Sequence, residues 1–344
     1  ETFLVGTDTV ARPVNVIWAV DSSGSMQQEM AMVESEINAF ANMLAAAGSS
    51  TQFHLLSDRG IEPFEICVNP PLGGPGCTDN PASGFWQYDT NGDVDGEPMV
   101  HSSNPLGRII QQAPTWIPRL QPYAYLAFIV TTDDNGDDPA WVAPDDNSEV
   151  DDCSSLSYIN DLTTGNVCRV HGPNGIDYTS LAYDHAGHGG FTTWMNNVLP
   201  SYDVIDDWSF YPIIGNTGTA VLTGADDVYE FNACPSNREA GEEYVKLALL
   251  TNTLPSMLSI CDAPWDFSGL ADAILDSIPN DLYVLTGSPP GTCALIDPAT
   301  ITVIVNGIPL VASSWTYDVP TCTVRITDDV PGVGDSVSII YANF

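Results

Sequence analysis

Basic residues are scarce. The 344-residue chain carries 8 lysines and arginines against 45 aspartates and glutamates, a formal net charge of −37. So acidic a surface repels phosphate backbones and anionic lipid headgroups, which argues against nucleic-acid and anionic-membrane partners. Lys246 is the only lysine, too few for Lys–Asn isopeptide cross-linking. No apolar run reaches the ~18 residues that a membrane-spanning helix needs. No signal-peptide pattern opens the chain at Glu1, as expected of a processed chain or a fragment. The sequence also lacks a GxSxG nucleophile elbow, a GxxxxGK(S/T) phosphate loop and any CxxC pair. These absences weigh against serine hydrolases, nucleotide hydrolases and thiolate zinc sites. A glycosidase needs a distinguished pair of carboxylates, and nothing singles one out, so the expectation is a protein that is not an enzyme.

What is present is enough to fold. Hydrophobic residues make up 44% of the chain, which supports a real core rather than general disorder. The length suits about two domains, or one large α/β domain with a small partner. The eight cysteines fall into close pairs in loop-like surroundings, a pattern that reads as a disulfide framework formed in an oxidising compartment. Sequence spacing does not fix connectivity. Nearest-neighbour pairing gives Cys67–Cys77, Cys153–Cys168, Cys234–Cys261 and Cys293–Cys322 as the expectation.

Hydrophobic periodicity sorts the chain into three parts. Residues 1–13 read as an N-terminal arm or strand. VNVIWAVD (14–21) is a nearly continuous apolar run, suited to a parallel strand covered on both faces. Residues 27–47 place apolar side chains at 30, 33, 37, 40 and 44, a helical period stopped by Gly48. TQFHLLS (51–57) is the next strand, so the chain opens with a βαβ unit. Residues 58–101 and 134–186 read as long, polar, Cys-containing insertions with little regular structure. A broken helix is expected over 104–120, strands over 124–133 and 208–215, and helices near 190–199, 238–253 and 267–278. After Pro279 short alternating β-branched runs are separated by Pro-Pro, Asn-Gly and Pro-Gly signals. That pattern predicts a small antiparallel β-sandwich or open barrel over 280–344. The expected fold is α/β, a doubly wound, mostly parallel, Rossmann-like sheet over 14–279, plus this all-β unit.

The most informative segment is Asp21-Ser22-Ser23-Gly24-Ser25, between the first strand and the first helix. In open α/β sheets, sites form outside the carboxyl ends of strands. A tight loop could turn Asp21, Ser23 and Ser25 to one side, and a carboxylate with two hydroxyls is hard-oxygen chemistry suited to Mg²⁺, Mn²⁺ or Ca²⁺. The alternative is that these residues only cap the helix. The D-x-S-x-S loop resembles the metal-ion-dependent adhesion site of the von Willebrand factor A family, and the resemblance covers 14–279 apart from the insertions. It implies that an Asp at the end of a later strand joins the ion, which matches Asp133 in Thr132-Asp133-Asp134, with Asp134 as the alternative. It also implies a Thr just before a helix. Here that place reads Val100-His101-Ser102-Ser103-Asn104-Pro105, so Ser103 or Ser102 would supply the hydroxyl. Members of the family bind an acidic group of a partner protein, so the resemblance implies a protein ligand with an exposed carboxylate.

A second acidic segment, Asp89-Thr90-Asn91-Gly92-Asp93-Val94-Asp95, alternates carboxylates with turn residues. It lacks Gly at loop position six and Glu at twelve, so it is no EF-hand. A different Ca²⁺ loop built on Asp89, Asn91, Asp93 and Asp95 and a solvated acidic turn both remain open. Residues 145–152 form a weaker version of the same pattern. His171, Asp184, His185 and His188 read as loop residues rather than a zinc site, because glycines surround them and no HExxH pattern is present. The expected function is extracellular or cell-surface adhesion through a divalent cation. The alternative is a filament or surface-layer subunit that self-associates by donating residues 2–11 as a strand to a neighbour.

Overall fold

The computed structural model describes residues 13–89, 100, 104–121, 124–133, 191–192, 194–195, 208–215, 221–222, 229–230, 241–262, 265, 267–278, 282–285, 296–319, 323–328 and 337–341. β1 (Val14–Val20) has every residue buried, as its unbroken apolar run requires. α1 (Gln27–Ala46) buries Met30, Val33, Ile37, Phe40 and Leu44, one stripe at helical spacing. It ends at Gly48, whose φ of 85° lies in the left-handed region that glycine enters without a Cβ clash. β2 (Thr51–Leu56) follows.

Beyond it come β3 (Phe85–Tyr88), α2 (Pro105–Gln111), α3 (Ala113–Trp116) and β4 (Tyr125–Thr132). The break between α2 and α3 falls just before Pro114, and Pro118 sits in the 3₁₀ turn Ile117–Arg119 that follows. Proline has no N–H for the helical ladder and crowds the preceding turn, so this stretch is helical only in pieces. Next are β5 (Trp208–Ile214), a short ribbon of β6 (Val221–Leu222) with β7 (Tyr229–Glu230), α4 (Glu242–Leu250), β8 (Leu258–Ser259) and α5 (Phe267–Ser277).

Six strands form one parallel sheet in the order β3-β2-β1-β4-β5-β8. Side chains alternate across it. Val14, Val16, Trp18 and Val20 pack with the buried stripes of α1 and α5, while Ile17 and Ala19 face the other way, toward α2, α3 and α4. The chain runs from β1 outward to β3, then returns to the centre and runs outward again from β4. β1 and β4 are therefore the neighbours at which the winding reverses, and a crevice opens beyond their carboxyl ends.

One expectation needs correction. Residues 58–101 are not uniformly irregular, because β3 lies within them and extends the sheet, pairing Phe53 with Phe85 through Leu56 with Tyr88. A four-residue strand without a continuous apolar run leaves little periodicity to read.

At the carboxyl end, β9 (Leu282–Val284), β10 (Thr302–Val305), β11 (Ile308–Pro309), β12 (Trp315–Asp318), β13 (Thr323–Ile326) and β14 (Val337–Ile340) form two antiparallel sheets. Their orders are β11-β10-β14 and β12-β13-β9. Val303 and Val337 of one sheet and Tyr283, Val324 and Ile326 of the other enter a common cluster. Asn306 and Gly307, both at positive φ, make the tight turn between β10 and β11. The expected boundary near residue 280 and the N-terminal segment 1–12, with its strand-donation reading, lie outside the described residues.

Cys67 and Cys77 are disulfide-bonded as expected. Cys261 is also disulfide-bonded, while Cys153, Cys168, Cys234, Cys293 and Cys322 lie outside the described residues. Among the described residues no helix is long and apolar enough to cross a membrane.

Candidate metal centre

Asp21 is the first residue after β1 and Asp133 the first after β4, so the winding reversal sets the two side by side. Both are buried, with Asp21 fully enclosed and Asp133 4% exposed. Hydrogen bonds fix Asp21. Its Oδ1 accepts the Ser23 N–H at 2.8 Å, its Oδ2 accepts the Thr132 hydroxyl at 3.1 Å, and its own N–H donates to Thr131 O at 2.9 Å. Trp18 Nε1 donates to Thr131 Oγ1 at 2.9 Å, which ties β1 to β4 just beneath the site.

The serines are held outward. Ser23 Oγ and Ser25 Oγ are 3.2 Å apart, and Met26 N–H donates to Ser23 O at 3.0 Å, closing the turn. Met26 occupies the N-cap of α1, and its side chain makes no capping hydrogen bond. Ser22 plays another part. Its N–H donates to Val100 O at 2.8 Å, and its hydroxyl accepts the Asp58 N–H at 3.2 Å. Val100 therefore touches the loop, as the segment before α2 must if it is to contribute. Ser102 and Ser103 themselves lie outside the described residues, as does Asp134.

Asp133 Oδ1 is buried and has no hydrogen-bond partner among the described residues. Burial pushes the Asp21 carboxyl up to about 7, with the charge of Asp133 adding to the rise and hydrogen bonds from Ser23 and Thr132 opposing it. A third carboxylate lies within electrostatic reach of Asp133. Glu29, in the first turn of α1, has a buried Oε2 without a partner among the described residues. Its carboxyl is also raised, first by burial and then by the charge of Asp133. Sequence reading missed Glu29, because an acid in a first helical turn is ordinary. The available signal was its place four residues after Ser25, one helical turn beyond the loop.

Two buried carboxylates, two adjacent hydroxyls and a third carboxylate within electrostatic reach make an oxygen-rich, anionic cluster. Buried carboxylates that share a site either take up protons or gather around a cation. The donor set of carboxylate and hydroxyl oxygens from Asp21, Ser23, Ser25 and Asp133 is of the kind that suits a hard divalent ion. No group of three or more His, Cys, Asp or Glu side chains surrounds a common point among the described residues, so the hydroxyls are integral to any such site.

Of the other sequence candidates, only Asp89 lies among the described residues. Asp89 follows β3 directly, and Asn91, Asp93 and Asp95 lie outside the described residues. The same holds for residues 145–152 and for His171, Asp184, His185 and His188.

Neither a protein-family model nor a curated protein sequence matches the chain. Among solved structures, it is similar to the pilus adhesin SpaC of Lactobacillus rhamnosus GG in its open conformation, at 12% identity and a TM-score of 0.34. A second SpaC structure gives 12% and 0.36. The pilus adhesin RrgA of Streptococcus pneumoniae gives 9% and 0.25. The matches cover 99% of this chain but only 42% of the SpaC chains and 57% of the RrgA chain. Likenesses this loose assign neither a family nor a function.

Proposed function

We propose that this chain is a cell-surface or secreted adhesion protein of the von Willebrand factor A type, which holds a divalent cation at Asp21, Ser23, Ser25 and Asp133 and uses it to bind an acidic group of a protein partner. The observation that carries the reading is the buried Oδ1 of Asp133, without a partner among the described residues, beside Asp21 at the winding reversal. Ser103 is the remaining candidate ligand. Bound Mg²⁺, Mn²⁺ or Ca²⁺ would supply positive charge to two buried carboxylates and keep a coordination position for a carboxylate from outside. The Cys67–Cys77 bridge supports an oxidising, extracellular setting. The role is binding rather than catalysis.

Calorimetric titration with Mg²⁺, Mn²⁺ and Ca²⁺ tests this directly. The expected result is one saturable site, abolished in Asp21→Ala and in Asp133→Asn. Equal binding by the parent protein and both variants would remove the assignment.

A further inference from the structure

The loop after β2 carries large apolar side chains into solvent beside the candidate metal centre. Ile61 is 83% exposed and Phe64 42%. Phe64 lies over the metal loop, since a Cβ built on Gly24 would stand 3.9 Å from Phe64 Cε1. Exposed apolar residues on a loose loop would need no explanation, but this loop is braced throughout.

The bracing starts at the loop's base. Asp58 N–H donates to Ser22 Oγ at 3.2 Å, and Ile66 N–H to Asp58 O at 2.9 Å. The Gln87 amide of β3 donates to Ser57 Oγ at 2.9 Å, Ile66 O at 3.0 Å and Asp58 O at 3.3 Å. Arg59 pairs with Asp79 at 2.6 Å and also bonds Gln87 O. At the tip, Glu62 N–H donates to Glu65 Oε2 at 2.9 Å and Glu65 N–H to Glu62 O at 3.1 Å. The Cys67–Cys77 bridge closes the loop immediately behind. Apolar side chains fixed in solvent by a rigid scaffold are a mark of an interaction surface, and pre-ordering them lowers the entropy lost on docking.

We infer that Ile61 and Phe64 are the apolar half of a composite docking surface whose polar half is the cation, and that its occupant is a protein segment with an acidic residue next to a bulky apolar one and basic residues on its flanks. This rests on the cation reading above. The acidic residue reaches the ion, and its apolar neighbour packs on Phe64 and Ile61. The basic flanks follow from charge. Glu62 and Glu65 stand on the same loop, Asp21, Glu29 and Asp133 belong to the candidate metal centre, and the chain as a whole carries −37. An acidic segment without basic neighbours would be repelled everywhere except at the ion. A small free carboxylate would meet the ion alone and be indifferent to Phe64.

The test uses the full chain in Mg²⁺ on an array of immobilised twelve-residue peptides. Their centres are Glu-Leu, Glu-Ser or Gln-Leu, with lysine or aspartate flanks. Phe64→Ser and Ile61→Ser, both at exposed positions, are compared with the parent, and calorimetry with Mg²⁺ is run on all three. The expected result is a preference for lysine-flanked Glu-Leu that falls about tenfold in Phe64→Ser, disappears in EDTA, and leaves Mg²⁺ affinity unchanged. Equal binding of Glu-Leu and Glu-Ser peptides, indifference to Phe64→Ser, or no peptide binding by a protein that does bind Mg²⁺ would overturn the docking surface alone. Absence of Mg²⁺ heat in the parent would overturn the cation reading. Phe64-dependent peptide binding that persists in EDTA would overturn the composite surface as well.

Discussion

The two aspartates of the candidate centre separate affinity from stability. Asp133→Asn keeps the shape of the side chain and removes one of two neighbouring buried charges. In the metal-free protein that relieves repulsion with Asp21, so stability should be unchanged or higher, while divalent-ion binding falls by at least ~100-fold. Denaturant melts in EDTA together with calorimetry read both effects, and a parallel loss of stability and binding would mean that Asp133 is structural. Glu29→Gln should weaken the ion only severalfold, because Glu29 is half-buried and adds field rather than a primary oxygen. Asp21, Ser23 and Ser25 were legible because they form one local motif, and Asp133 because a strand end announces itself. Glu29 was not, because its part depends on which end of α1 meets β4. His54 was equally hidden. Within β2 it stacks on Trp86, meets the Tyr88 hydroxyl at 2.9 Å through Nδ1, and buries an Nε2 that has no partner among the described residues. Burial, with the nearby charge of Arg119 adding, holds its imidazole down at about 3. The folded protein therefore keeps His54 neutral while the unfolded chain takes up a proton below its ordinary pKa of ~6.5. Stability from this residue is intact above that value and falls as pH drops toward 3, at about 1.4 kcal/mol per pH unit once the unfolded histidine is charged. His54→Phe should flatten the pH dependence between 6 and 4 by that slope, and an unchanged slope would show that the imidazole is charged in the fold.

Elements decide whether the apolar rim is rigid. β3 has four residues, yet it positions Gln87, whose one amide group holds Ser57, Asp58 and Ile66 together. Gln87→Leu should cost about 1–3 kcal/mol, because it removes the amide's hydrogen bonds to Ser57 Oγ, Ile66 O and Asp58 O. Hydrogen exchange of residues 58–66 should rise well beyond that of β1 or β4. Uniform acceleration across the sheet would instead indicate simple global destabilisation. Cys67→Ser with Cys77→Ser opens a loop of sequence separation 10 and should cost roughly 2–3 kcal/mol in the chain-entropy picture. The parallel strands β1 and β4 were readable from composition, since strands buried on both faces must be apolar along their whole length. β3 was not readable. Its Phe85, Gln87 and Tyr88 are buried while Trp86 is only partly so, and its partner is fixed by a pairing 32 residues upstream, Phe53 with Phe85. The same logic explains why the braced loop looked like any Pro- and Gly-rich excursion: its order comes from a side chain on a strand that the local pattern does not announce.

At the scale of the whole chain, the winding order and the charge act together. The order β3-β2-β1-β4-β5-β8 brings Asp21 and Asp133 together across more than a hundred residues of intervening sequence. The chain also carries −37 overall, so its folded form repels itself and any salt relieves some of that repulsion by screening. A stabilising effect of Mg²⁺ therefore proves nothing alone, and the comparison must hold ionic strength fixed. Screening acts on every exposed charge and depends only on ionic strength. A bound ion acts at one place and saturates, contributing RT ln(1 + [L]/Kd), about 2.7 kcal/mol at a hundred times Kd. For a chain of this size that corresponds to a rise of about 4 °C in melting temperature. We expect millimolar Mg²⁺ to raise the melting temperature by that amount above a sodium chloride control of matched ionic strength. The excess should vanish in Asp21→Ala, while the sodium chloride response remains, because removing one carboxylate of 45 hardly alters the overall field. If Mg²⁺ and matched sodium chloride stabilise equally, the acidic cluster between β1 and β4 is a solvated consequence of net charge and holds no ion. If the excess survives in Asp21→Ala, an ion binds elsewhere on the chain, and the second acidic segment at Asp89, Asn91, Asp93 and Asp95 becomes the place to mutate next.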